Sequence, residues 1–206
     1  MPAIFGINDV LVLKEALWPH VTFYDRQVEI IDSVCRNDET YVPAGNKLGK
    51  DFVAAFIALS SFVICQAKDR TCRILTTSVA QHHLDVLWGE IGGFLSSSRV
   101  PLLSQQGGPL AVNSQEVRRV EEMYAKNPLN YLVGKVSAKG EGMAGHHAEH
   151  TLIIGDEASG LDDDVYKAAQ GWGKRMLWIG NTNPCTNFYR AGCDAGDLFA
   201  PSKLVA

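Results

Sequence analysis

The 206-residue chain is 46% hydrophobic and 20% charged, with a formal net charge of −4. That excludes a disordered polypeptide and fits one globular domain with a sizeable core, above the common size of about 100–150 residues. The acidic balance argues against a surface given over wholly to nucleic acid, though a local basic loop would not show in the total.

Five cysteines at irregular spacings, with no C-x-x-C, suggest reduced thiols rather than a disulfide framework or zinc knuckle. Met1 to Phe5 lack the features of a signal peptide, and no apolar run reaches the ~18 residues of a membrane span. A soluble intracellular protein with no membrane contact is expected.

In chain order, residues 1–37 carry apolar side chains at helical spacing (Val10, Leu13, Leu17, then Val28, Ile31, Val34), broken at Trp18-Pro19. Gln27 and Tyr24 follow that break. A glutamine beside an aromatic ring, a little upstream of a phosphate loop, can read adenine by its amide while the ring stacks. The plainer reading gives Gln27 to a solvated helix face and Tyr24 to the core. Residues 1–38 are therefore set apart as a helical segment, 39–200 as a core, and 201–206 as a linker or truncation point.

Tyr41-Val42-Pro43 reads as a strand, and Phe52 to Gln66 as a helix apolar nearly all round and hence buried. Between them lies Ala44-Gly45-Asn46-Lys47-Leu48-Gly49-Lys50-Asp51. Strand, glycine-containing loop and helix in this order are the context of a phosphate-binding loop, whose backbone N–H groups and helix dipole favour an anion. Gly45 to Asp51 would bind the nucleotide, with Lys50 reaching the β- and γ-phosphates. Ala44 replaces the usual first glycine and Asp51 the usual Ser/Thr of G-x-x-x-x-G-K-[ST].

Arg73 to Thr77 reads as a buried strand, with Ser78 as cap for a helix from Ala80 to Phe94. Gln81 could touch a phosphate backbone, or simply face solvent. Residues 96–127 read as an exposed excursion with a short strand (Leu110 to Val112) and a short helix, and Tyr131 to Val136 as a further strand. His146 and His150 are four apart but lack a third ligand spaced to complete a metal site. Leu152-Ile153-Ile154-Gly155 is strand-like and ends in Asp156-Glu157, the second site. Asp162-Asp163-Asp164 fits the acidic first turn of a helix. Arg175 to Gly180 forms a buried strand whose tip carries Asn181, Thr182 and Asn183. These could sense a γ-phosphate or satisfy a turn before Pro184.

ATP hydrolysis requires neutralised phosphoryl charge, a bridging metal and an aligned water. Asp156 would hold Mg²⁺, Glu157 would polarise the water, and Lys50 would hold phosphate, since adjacent residues leave a strand tip in different directions. The long interval between Lys50 and Asp156 leaves room for an extra strand between the two motif strands. Asp51 is a possible second Mg²⁺ ligand, and its charge beside a triphosphate makes the site tolerable only with the metal present.

With these residues in hand, the chain resembles the ATPase domain of tailed-phage large terminases. The resemblance rests on Ala44 to Asp51 with Lys47 inside the loop, on Leu152 to Glu157 followed by Ala158-Ser159-Gly160, and on Gly180 to Pro184 with Phe188-Tyr189 beyond. It implies an α/β, RecA-like P-loop fold of the ASCE type with a mostly parallel central sheet flanked by helices. Its further implications are ATP and Mg²⁺ as cofactors and translocation of double-stranded DNA into a procapsid in the host cytoplasm. A homo-oligomeric ring on the portal protein and a small terminase subunit as partner also follow. Asn181 to Asn183 would be the coupling motif. Ring ATPases usually take an arginine from a neighbour, and Arg99, Arg118 and Arg119 are the candidates. The C-terminal nuclease domain of large terminases is not expected in these residues, and with it no DNA cleavage.

Two other readings stay open. A superfamily 2 helicase motor is suggested by Asp156-Glu157-Ala158-Ser159, but the next strand ends in Gly-Asn-Thr-Asn-Pro rather than Ser-Ala-Thr. A catalytically inactive P-loop scaffold is suggested by Asp51, against the retention of both Lys50 and Glu157.

Overall fold

A computed structural model describes residues 5–45, 48–137, 145–181 and 183–195, and the backbone of 203–205. Helices α1 (Ile7–Leu17) and α2 (Asp25–Arg36) precede strand β1 (Glu39–Pro43) and the long helix α3 (Lys50–Ala67). Next come β2 (Cys72–Ser78), α4 (Gln81–Ser97), β3 (Leu110–Val112), β4 (Glu116–Arg119) and β5 (Tyr131–Val136). They are followed by β6 (His150–Gly155), α5 (Asp163–Gln170), β7 (Arg175–Gly180), α6 (Phe188–Ala195) and β8 (Lys203–Val205).

The strands form one sheet in the order β3-β4-β5-β2-β6-β7-β1-β8. From β5 to β8 every neighbour is parallel, while β3 and β4 add an antiparallel margin. This is the RecA-like α/β architecture. β7 lies between β1 and β6, so the strand feeding the glycine loop and the strand ending at Asp156 are separated by one strand.

Parallel strands must be covered on both faces, which is why they read as continuous apolar runs. Alternate residues supply the two layers. Val42, Ile74, Leu152, Ile154, Leu177 and Ile179 face the core shared with α1 to α4. Tyr41, Leu75, Ile153, Met176 and Trp178 face a smaller one beneath α5 and α6. The helix α3 is 18 residues long and apolar enough to cross a membrane, but 72% of it is buried inside the protein, as befits a central core helix. Its length reaches the span that no apolar run was expected to reach.

The N-terminal helices belong to the same core. Trp18, fully buried where α1 ends, packs edge-on against Phe56 and Phe94 at 5.7 and 5.6 Å, and its indole N–H donates to the Phe94 carbonyl at 2.8 Å. Three local expectations differ. Glu116–Arg119 is a strand rather than loop or helix, because Val117 alone is driven inward and the rest of the segment is polar. Ser78 makes no cap for α4, whose N-cap is Ala80. Lys203–Val205, within the segment expected to be a linker, pairs in parallel with Glu39 to Tyr41.

Candidate nucleotide-binding site

The carboxyl ends of β1, β2, β6 and β7 meet at one edge of the sheet, the edge where ligands bind in open α/β sheets. The Ala44 N–H donates to the Gly180 carbonyl at 3.0 Å and the Asp156 N–H to the Thr77 carbonyl at 2.8 Å, fixing the strand tips against one another. Gly49 takes a left-handed conformation (φ 70°) directly before α3, which glycine adopts without strain. A Cβ there would also sit 2.8 Å from the Gln27 amide nitrogen.

Lys50 opens α3 and is 6% exposed. Its ammonium donates to Glu157 Oε1 at 2.5 Å and lies 3.9 Å from Asp156 Oδ1. The residues expected to hold phosphate, metal and water thus converge from two distant segments. Glu157 itself sits at φ 50°, ψ 44°, a conformation unfavourable for a side chain with a Cβ and typical of functional strain. It turns the carboxylate back toward the loop. Gly155 just before it is required by packing, since a Cβ would approach Trp178 to 2.3 Å.

Asp156 is 2% exposed and its Oδ1 has no hydrogen-bond partner. Burial pushes its carboxyl up to about 7, with the charge of Asp51 adding and Lys50 opposing. Burial also raises Asp51, again against Lys50 and with Glu157 adding. Desolvation therefore outweighs the single ammonium that three acids share. Asp51 Oδ1, Thr77 Oγ1, Ser78 Oγ and Asn181 Oδ1 are further buried acceptors without partners. Orphaned acceptors of this kind, two of them carboxylate oxygens, suit a divalent cation bound through oxygen. Asp156 and Asp51 are the residues that would hold one.

The other expected residues fall as follows. Gln27 is buried rather than on a solvated face: its Oε1 accepts from the Tyr24 N–H at 3.4 Å and its amide points at the Gly49 carbonyl at 3.5 Å. Tyr24 is half exposed rather than core, and its hydroxyl donates to the Leu48 carbonyl. Both touch the loop itself. Asn181 donates to Glu157 Oε2 at 3.4 Å and Asn183 is exposed. Asn46, Lys47 and Thr182 lie outside the described residues. Gly45 precedes them at the end of β1, next to the Leu48 side chain.

Arg118, expected to be exposed, is not. Its guanidinium binds Glu116 at 2.6 Å and reaches the carbonyls of Glu122, Met123 and Ala125, commitments within its own chain that leave nothing to give a neighbour. Arg119 pairs with Glu121 at 2.6 Å. Arg99 is exposed after α4, which leads away from the site edge. Gln81 is held by Asp85 and Gln115 at 2.8 and 3.0 Å. His146 and His150 join no metal-binding group among the described residues: His146 contacts Tyr131 and Trp172, and His150 packs on Phe5.

Two further contributors, His83 and Asn187, have no motif signal, and a third, Tyr189, enters only as part of the resemblance. His83, two residues into α4, brings a ring nitrogen to Asp156 and Glu157, with all three ligand atoms within 4.8 Å of one another. Asn187 donates to the Ala158 and Leu161 carbonyls at 2.9 and 2.7 Å, pinning the turn after Glu157. The Tyr189 hydroxyl reaches the Val42 and Gly180 carbonyls at 2.8 and 3.0 Å, tying β1 to β7 at the site edge.

Lys50, at the start of the helix after β1, thus meets two acids at the carboxyl edge of a RecA-like α/β sheet. Among solved structures, the chain is similar to the large terminase of bacteriophage HK97 over 97% of its length, with a TM-score of 0.68 and 15% identity. It is also similar to the ATPase domain of the Thermus phage P74-26 large terminase, over 90% of its length with a TM-score of 0.64 and 14% identity. A variant of that same domain gives a TM-score of 0.65 at 14% identity. The chain spans 43% of the HK97 chain and 80% of the P74-26 domain. At these identities the likeness is one of fold. No protein-family model matches the sequence, and a search of curated proteins finds no match.

Proposed function

We propose that this chain is the ATP-hydrolysing motor domain of a phage large terminase, driving double-stranded DNA into a procapsid. The observation that carries the reading is the Lys50 ammonium held 2.5 Å from Glu157 and 3.9 Å from Asp156 at the end of the glycine loop. The fold likeness to two phage terminases names the kind of motor.

In this reading the loop amides from Gly45 to Asp51 cradle the phosphates, and Lys50 leaves Glu157 to follow the γ-phosphate. That frees the Glu157 carboxylate to orient and deprotonate the attacking water. Asp156 and Asp51 would hold a divalent cation, expected to be Mg²⁺, which would supply positive charge to the phosphates. Tyr24 and Gln27 border the adenine side of the loop, and Asn181 with Thr182 and Asn183 couples the state of Glu157 to β7. Arg99 and Arg119 remain candidates for an arginine acting on a neighbour in a ring on the portal protein. The small terminase subunit is the further partner, in the host cytoplasm.

The test is ATP turnover by the full chain with Mg²⁺ and DNA, beside Glu157→Gln and Lys50→Ala, with nucleotide binding measured for each. Turnover in the parent, tight binding without turnover in Glu157→Gln and weak binding in Lys50→Ala support the motor. The buried Asp51 carboxylate favours a second reading, an inactive scaffold. Nucleotide binding that never leads to turnover, even with DNA and portal protein added, would establish it.

A further inference from the structure

The residue that separates this site from a plain oxygen-lined one is His83. α4 begins just beyond the tip of β2, the strand beside β6, and so delivers the His83 ring to the tip of β6. The ring nitrogen, an Asp156 oxygen and a Glu157 oxygen lie within 4.8 Å of one another. Two donors on opposite sides of one cation at about 2.1 Å stand about 4.2 Å apart, so a small shift of the half-buried His83 ring toward the buried Asp156 carboxylate would let one ion take both, with Glu157 left beside it for water.

A second observation points to a ligand here. Asp156 is almost completely buried, yet its Oδ1 has no partner, and neither has Oδ1 of Asp51. Asp51 stands where P-loops usually carry a neutral hydroxyl. Carboxylates with one imidazole are not the donor set of a Mg²⁺ site, which takes oxygen ligands and keeps its waters. Carboxylates suit Mg²⁺ and Mn²⁺ alike, whereas an imidazole nitrogen is accepted more readily by a transition ion such as Mn²⁺ than by Mg²⁺.

We propose that His83 is an imidazole ligand of the cation in this site and makes the site prefer Mn²⁺ to Mg²⁺. The inference rests on the nucleotide-binding reading above. The Lys50 ammonium competes for the same acids at 2.5 and 3.9 Å. Phosphate must draw it away, so the cation binds together with nucleotide.

The probe is Mn²⁺ with ADP on the full chain, read by electron spin-echo envelope modulation. The expected result is a nitrogen modulation that changes when histidine is isotope-labelled, which separates imidazole from adenine nitrogen. It disappears in His83→Ala and His83→Gln. It persists in His82→Ala, because the exposed His82 ring lies tilted against His83 at 3.9 Å without belonging to the cluster. In parallel titrations with ADP, His83→Ala weakens Mn²⁺ binding about tenfold or more, since loss of even an outer partner costs about 10–100-fold, and leaves Mg²⁺ binding nearly unchanged. Mn²⁺ bound with ADP but showing no histidine modulation would overturn the role of His83 and leave the nucleotide reading standing. Modulation that survives in His83→Ala overturns the assignment to this residue. Failure of the parent chain to retain Mn²⁺ and ADP at all overturns both.

Discussion

The two edges of the parallel sheet handle buried polarity in opposite ways. At the amino edge, before β2, β6 and β7, Arg70 pairs with Glu149 at 3.2 Å, and Lys174 donates to the Ala148 and Glu149 carbonyls at 2.8 Å. Among the described residues, the atoms without a hydrogen bond there are Arg73 Nε, His150 Nε2 and Arg175 Nη1, the last 3.8 Å from Asp38. Burial pushes the His150 ring down to about 4, so it stays neutral near pH 7. At the carboxyl edge the leftovers are acceptors, Asp51 Oδ1 and Asp156 Oδ1, the latter 3.9 Å from the Lys50 ammonium. The first edge pairs most of its charges with one another, around an open cavity lined by Arg70, Glu149, His150, Lys174 and Arg175. The second holds more acid than its one ammonium offsets, an excess that a proton on Asp156 or an incoming cation relieves.

The comparison breaks most severely if Glu157 proves dispensable. Glu157→Gln should lower ATP turnover by about 10²–10⁴-fold, the usual worth of a positioned general base. Phosphate release measured beside nucleotide binding checks that the loss lies in chemistry.

The next largest effect is on stability without cation. The folded Asp156 carboxyl titrates near 7 rather than its ordinary 3.8. Between those values the folded chain binds more protons than the unfolded one. Its contribution is therefore complete below about 3.8 and is lost as pH rises through about 7. In chelator, Asp156→Asn should flatten that slope and stabilise the chain at pH 8 by a few kcal/mol, read by denaturant midpoints.

His150 should show the reverse sign. Its folded pKa of about 4 lies below its ordinary 6.5. Its contribution is present above 6.5 and is lost as pH falls toward 4, by at most about 3 kcal/mol. His150→Gln should reduce the acid sensitivity over that window. Matching slopes in the two variants would erase the distinction between the edges.

The smallest effect belongs to Arg70→Gln. That pair is about half exposed on both sides, and exposed ion pairs contribute little. Its midpoint should be indistinguishable from the parent's in moderate salt.

Much of this was legible in the chain. Apolar runs bounded by turn residues located β1, β2, β5, β6 and β7, because strands buried on both faces leave no room for polar side chains. Glu116–Arg119 escaped, since a marginal strand with one buried residue, Val117, carries no such run. The loop and the Asp-Glu pair were recognisable from local chemistry. His83 and Asn187 were not, and Tyr189 was legible only through the resemblance, because each acts on backbone or carboxylates that only folding brings near. Arg118 misled for the same reason: a charged, polar neighbourhood in sequence became an internal guanidinium site in space.

By itself the sequence determined which segments are strand and helix and which residue types could serve phosphate, metal and water, since those depend on periodicity and local composition. Tertiary structure alone decided that β7 lies between β1 and β6, that Lys50 meets Asp156 and Glu157, and that His83 joins them. Those contacts follow from strand order and from which strand ends share an edge, and strand order is fixed by packing of the whole sheet rather than by any local run of residues.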